Sequence, residues 1–221
     1  MTLTKSIHTQ LQPFMQSRQN FYKILYSLFL DPTNEEILFE IGTLVNFGEL
    51  EEFHEGGGIL ACFFAQLTTE NYRLEIEEYH RLFVGPGYLA APPWESFYRS
   101  KDHLLFDDCM LQIRDQYHQF GLKFIKENNE PDDHLLLELE FMIHLSDLCL
   151  QPSETDEILE LISSQIHLHQ EHLSIWIPNF CDRVIDHTKS QLYIGAAMLL
   201  KDFINYDLAS LLEIREALAN V

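Results

Sequence analysis

Apolar residues recur along this chain at three- and four-residue intervals, the spacing that places them on one face of an α-helix. The first clear stripe is Phe21, Ile24, Leu25 and Leu28, which predicts a helix over 17–30. Asp31-Pro32 ends it, because the residue before a proline avoids helical geometry. Asn34 followed by Glu35 and Glu36 starts the next, a capping side chain and then acids near the positive end of the helix dipole. Ile37, Leu38, Ile41, Leu44 and Val45 form its stripe. Gly56-Gly57-Gly58 reads as a loop and a helix start, ahead of a short apolar helix over 59–67. Thr68-Thr69-Glu70 starts another, which runs to Phe83. Met110, Ile113, Tyr117, Phe120 and Phe124 predict a helix over 107–125. The polar, turn-rich segment 126–131 is the candidate hinge. Pro131-Asp132-Asp133 then reads as a helix opening, proline first and acids in the first turn. That helix, to about 150, is apolar around most of its circumference, which predicts a buried central element. Gln151-Pro152-Ser153 ends it, and Ser153 with Asp156 has capping-box spacing. Helices over 154–171, 174–187 and 190–212 complete the chain. No strand-like alternation, repeat or low-complexity segment interrupts them. The class is all-α: a single globular bundle of roughly ten helices, one domain over 1–221, divisible into two lobes at the hinge.

One stretch, 79–98, departs from this pattern. Gly85-Pro86-Gly87 breaks a helix, because glycine allows positive φ and proline fixes its own φ and lacks a donor. The apolar residues Tyr88 to Ala91 follow, and Pro92-Pro93 then stiffens the backbone and opens a new helix. Trp94, Glu95, Ser96, Phe97 and Tyr98 come at once. A rigid loop presenting a tryptophan beside a carboxylate and a hydroxyl is costly in apolar surface, and either plugs a core or holds a ligand.

Composition adds one strong fact. Fourteen basic residues against 35 acidic give a net charge of −21. Such a surface repels phosphate backbones, which argues against nucleic acid, and attracts basic segments. Solubility alone is the plainer account of the same charge. Cys62, Cys109, Cys149 and Cys181 form no C-x-x-C motif, and free thiols suit a cytoplasmic protein. The first residues lack a signal-peptide core, and the longest apolar run, near 59–65, is too short to span a bilayer.

Three constellations could carry chemistry. Asp133-His134, with Glu138 one turn further on, could present carboxylate and imidazole at a helix mouth, with neighbouring acids holding the imidazole protonated, to bind a guanidinium or move a proton. An ordinary helix start with a satisfied histidine explains the same residues. Ser96 with His134 and an acid suggests a hydrolase, but Ser96 sits in no G-x-S-x-G elbow. His167-x-His169-x-x-His172 looks like a metal cluster, yet no carboxylate completes it, and a solvated helix face is the commoner case. No metal is expected.

Two segments together resemble a family. The aromatic-x-Arg-Leu-Phe run at 79–83, the Gly-Pro break, Pro92-Pro93-Trp94-x-Ser96-x-Tyr98, and then Glu130-Pro131-Asp132-Asp133-His134-Leu135 are similar to the two signature stretches of the TorD/DmsD/NarJ redox-enzyme maturation chaperones. The Pro-Pro-Trp form resembles the DmsD branch most closely. The resemblance implies a cytoplasmic chaperone, not an enzyme, that binds the twin-arginine leader or the body of a molybdoenzyme catalytic subunit. It aids cofactor loading and delays hand-over to the export machinery. It carries no cofactor of its own, although some members bind guanine nucleotide weakly. Monomer and hinge-swapped dimer both remain open.

The resemblance implies a leader site built from Tyr88, Leu89, Pro92, Pro93, Trp94, Glu95, Ser96, Tyr98, Asp133 and His134, with Arg81, Phe83, Gly85 and Pro86 supporting the loop. Two guanidinium groups followed by an apolar stretch need carboxylates and an apolar groove, and the residues offer both types. Two alternatives stand beside this reading. One is a GTP-binding switch, for which there is no P-loop and only Arg99 and Lys101 nearby. The other is a factor that docks only on the enzyme body.

Overall fold

The computed structural model describes residues 2–151 and 154–219. Among them run eleven α-helical segments and two π-helical turns, with no strand. In chain order these are α1 (Thr2–Leu28), α2 (Glu35–Leu44), α3 (Phe47–Glu51), α4 (Glu55–Ala65), α5 (Thr69–Tyr79), π1 (His80–Val84), α6 (Glu95–Arg99), α7 (Asp108–Gln119), α8 (Leu135–Leu150), α9 (Thr155–Leu168), π2 (His169–Leu173), α10 (Ser174–His187) and α11 (Gln191–Ala219). The all-α expectation holds.

The long α8 packs between α1 and α9, and α11 lies across α4, α9 and α10. The main core draws on helices from both sides of 126–131: Tyr22, Leu60, Leu82, Leu139, Trp176, Phe180 and Tyr193 all belong to it. A smaller cluster of Met15, Ile158, Ile162 and Leu211 closes the far end.

Several boundaries differ from the sequence pattern for physical reasons. The predicted helix 17–30 begins far earlier, and α1 runs through Pro13, which is exposed. The glycine triplet occupies the first turn of α4, so it is a helix start as expected, but it is not a loop. A Cβ on Gly57 would lie 2.5 Å from the Leu50 backbone, and one on Gly195 would lie 2.7 Å from Leu60, so these glycines let α3, α4 and α11 touch. The helix expected over 107–125 stops at Gln119, because Gly121 takes φ +71 and the Gly121 and Leu122 amides bond back to the His118 and Tyr117 carbonyls, a Schellman end. Asn34 caps α2 as expected, its side chain accepting from the Glu36 amide. The Ser153 cap lies outside the described residues; Glu154 and Glu157 form the capping box that opens α9.

The largest revision concerns 131–135. Pro131, Asp132 and Asp133 do not form a first helical turn. His134 is the N-cap of α8, extended at φ −82 and ψ 140, and its Nδ1 accepts from the Leu136 amide at 3.1 Å. The two aspartates are thereby freed to point elsewhere.

Candidate functional site

The loop after π1 is held at both ends. Arg81 pairs with both carboxylate oxygens of Glu78 at 2.7 Å and donates to the His187 carbonyl. Phe83 is buried against Tyr79, Tyr193 and Phe180. Gly85 (φ +98) turns the chain out with Pro86 exposed, and the Ala90 and Ala91 amides bond back to the Arg81 and Leu82 carbonyls. At the crown, the Arg183 guanidinium lies over the Tyr88 and Phe97 rings, 5.8 and 5.4 Å from their centroids. It donates to the Tyr88 hydroxyl and, at 2.6 Å, to the Ala90 carbonyl. No carboxylate pairs with this arginine among the described residues.

The two signature segments meet. The Leu135 amide donates to the Pro93 carbonyl at 2.9 Å and the Glu95 amide to the Asp133 carbonyl at 3.0 Å, an isolated antiparallel bridge between Trp94 and His134. The Trp94 ring stands edge-on to the His134 imidazole, centroids 5.4 Å apart. The Asp133 carboxylate accepts from the Ser96 amide at 2.6 Å, so Asp133 caps α6 from across the chain. Asp132 takes a two-pronged pair from Arg114 at 2.8 and 3.0 Å, which ties the segment to α7.

Beneath this bridge lie the fully buried side chains of Glu95, His172, Glu138 and Trp176, with Arg99 reaching them from the surface. Glu95 accepts from Arg99 at 2.6 Å and from His172 Nδ1 at 2.7 Å. Glu138 accepts from the Trp176 indole at 2.9 Å. Burial, reinforced by Glu95 and Asp133, pushes the Glu138 carboxyl well above its ordinary range. Burial also raises Asp133, offset in part by the Ser96 hydrogen bond. It lowers His134 to about 4, so the imidazole is neutral at pH 7, not held protonated by its acidic neighbours. Desolvation outweighs them.

The expected leader-binding residues thus separate by exposure. Tyr88 is 80% exposed, and Leu89, Trp94, Tyr98 and His134 are partly exposed. Pro92, Pro93, Glu95, Ser96 and Asp133 are buried, where they set the shape of the surface from beneath. Tyr98 leans on Trp176 and Phe180. Ser96 Oγ makes no hydrogen bond, so no histidine is placed to take its proton and the hydrolase arrangement is absent. His169 and His172 do not line a solvated face either. Both are buried, on Asp207 and Glu95 respectively, and no cluster that could hold a metal occurs among the described residues. Both histidines lie on π2, and π-turns frequently mark functional sites.

Sequence reasoning missed Arg183, Trp176, His103 and the apolar run that follows His103. Arg183 and Trp176 carry no local signal. Phe97 stacks on His103 at 4.5 Å, and His103 Nδ1 donates to the Phe97 carbonyl at 2.7 Å. The exposed run Leu104, Leu105, Phe106 follows directly and extends the apolar surface. An apolar triplet between Asp102 and Asp107 was its signal.

A family model described as nitrate reductase delta subunit matches residues 52–182, which is more than half of the chain and spans both signature segments. The chain belongs to this family, that of the TorD/DmsD/NarJ maturation chaperones. A TorD chaperone from Aliivibrio salmonicida is 27% identical over 206 residues, 90% of this chain and 96% of its own length. A Tat proofreading chaperone DmsD from Salmonella typhi is 26% identical over 180 residues, 81% of this chain and 83% of its own. These figures favour neither branch over the other. A crystal structure described as a redox enzyme maturation protein from Archaeoglobus fulgidus has the same fold, with TM-score 0.54 and 21% identity over 85% of this chain and 93% of that one. The relatives are named as chaperones, not as enzymes, and no helix among the described residues is long and apolar enough to cross a membrane.

Proposed function

We propose that this chaperone acts in the cytoplasm, where it binds the twin-arginine leader of a molybdoenzyme precursor on the surface made by the 85–98 loop and His134, and holds that precursor back from the export machinery until its cofactor is loaded. The observation that carries this reading is the hydrogen-bonded bridge between Trp94 and His134, which makes one surface from two segments distant in sequence. The apolar part of the leader lies against Tyr88, Leu89, Trp94 and the Leu104–Phe106 run. Its guanidinium groups meet acids at the margin: exposed Asp102 and half-buried Asp107 flank the run, and exposed Glu130, near His134, gives up its 2.8 Å pair with Lys126 for the ligand. Buried Glu95 and Asp133 act on the ligand by holding the loop in shape. The protein needs no cofactor for this task, and binding is the whole of it.

The test is calorimetric titration with a synthetic twin-arginine leader. The double variant Trp94→Ala, His134→Ala is expected to weaken binding by about 3 kcal/mol, the scale of two central interface residues. Leader binding that survives this double variant intact would refute the site.

A further inference from the structure

Arg183 is out of keeping with the charge of this chain. Acidic residues outnumber basic ones 35 to 14, and Arg18, Arg81, Arg99 and Arg114 each pair with a carboxylate. Arg183 stands half-buried near the end of α10 and pairs with none among the described residues. Its neighbour Asp182 is taken by Lys201. Asp186, one turn further along α10, points into solvent.

The guanidinium is nevertheless held in place. It lies over the Tyr88 and Phe97 rings, 5.8 and 5.4 Å from their centroids. Its Nε donates to the Ala90 carbonyl at 2.6 Å and its Nη2 to the Tyr88 hydroxyl. These bonds use the Nε side of the group. No protein atom accepts from Nη1 among the described residues, so the edge formed by Nη1 and the second Nη2 hydrogen has no partner. Stacking and two hydrogen bonds have already ordered the side chain, which lowers the entropy that a ligand on that edge must overcome. A guanidinium edge of this kind receives a carboxylate on two parallel hydrogen bonds.

We propose that Arg183 receives an aspartate or glutamate side chain of the bound leader, a carboxylate subsite within the surface that the 85–98 loop presents. The subsite rests on leader recognition at that surface and adds a second charge preference to it. Like charge keeps the leader's own guanidinium groups off the Tyr88 and Phe97 rings, whose cation–π partner is already present, and leaves them to the acidic margin. A phosphate group is the poorer occupant. It carries more charge than one arginine offsets, Arg81 is committed to Glu78, and a chain of net charge −21 opposes a polyanion. One carboxylate on an otherwise basic and apolar peptide brings its compensating charges with it. A ligand carrying both signs is then fixed in register, because its arginines and its acid are drawn to different residues.

The test is fluorescence anisotropy with a fluorescein-labelled twin-arginine leader peptide that contains no acidic residue. A panel carries glutamate at each uncharged position in turn. At most positions glutamate should weaken binding to so acidic a chain. At one position, or two adjacent ones, it should instead tighten binding about fivefold. Arg183→Gln should turn that gain into a loss, and Arg183→Glu should prefer lysine at the same position. Arg183→Lys keeps the charge and the packing but not the two-pronged edge, which guards against a variant that fails to fold; it should retain a gain of about twofold. The subsite is overturned if no position gains in the wild type, or if the gain survives in Arg183→Gln. It is overturned equally if Arg183→Gln binds the acid-free leader more tightly than wild type, which would make Arg183 a resident competitor of the leader's arginines. Wild type that binds the acid-free leader without any gaining position overturns the subsite alone. Wild type that binds no peptide of the panel overturns leader recognition together with it.

Discussion

The neutral state of His134 has a consequence for stability that can be worked through. Its Nδ1 accepts from the Leu136 amide and caps α8, a role that a protonated imidazole cannot fill. Burial lowers its pKa from 6.5 to about 4. Between those values the unfolded chain takes up a proton that the folded chain refuses, so stability falls as pH falls through this window. The full difference below pH 4 is about 3 kcal/mol, and at pH 5 it is about 2 kcal/mol. His134→Asn keeps a capping acceptor and cannot titrate. Urea unfolding, followed by far-UV circular dichroism at pH 7 and pH 5, should show wild type losing about 2 kcal/mol more than the variant between the two conditions. Other groups titrate in this range, but they do so in both proteins, and the difference isolates His134. Equal pH dependence in the two proteins would refute the argument. So would a His134 imidazole resonance that titrates near the ordinary histidine value.

Two further perturbations address the buried polar groups. Glu138, raised far above its usual range by burial, contributes stability that is complete below the unfolded carboxyl value and lost as pH rises. Glu138→Gln retains an acceptor for the Trp176 indole, and urea melts should find it more stable than wild type by about 1–2 kcal/mol at pH 8 and indistinguishable from it near pH 4. Asp207 behaves in the opposite sense. Burial alone would raise its pKa, but the Arg18 hydrogen bonds and charge, helped by His169, bring it well below the usual carboxylate range. Asp207→Asn leaves the Arg18 guanidinium buried without its counter-charge and should cost about 3–5 kcal/mol at pH 7, with the loss shrinking as pH falls below about 4.

Much of the fold was legible in the sequence, because helical periodicity is a local signal. The stripes of α2, α7 and α8 followed from residue spacing, and so did the all-α class. What failed was set by contacts across the chain. The glycine triplet looked like a loop because glycine is unfavourable within helices, and only the proximity of Leu50 and the packing of Gly195 on Leu60 explain why α4 tolerates it. Asp132 and Asp133 looked like a first helical turn because acids suit one, but their partners, Arg114 and the Ser96 amide, lie 18 and 37 residues away. The histidines of π2 looked exposed for the same reason: their carboxylates are on α11 and α6. The loop and the Asp133-His134 pair were each visible as unusual, but neither segment alone indicates that the two are hydrogen-bonded together.

The central claim is that a leader docks where Trp94 meets His134, and tryptophan fluorescence tests it most directly. The protein has two tryptophans, and Trp176 is fully buried while Trp94 is partly exposed. A twin-arginine leader peptide should change the emission saturably. The change should vanish in Trp94→Phe, and binding should weaken with salt and with both arginines replaced by glutamine. An emission change that persists in Trp94→Phe, or tight binding that ignores both the arginines and the salt, would contradict the account.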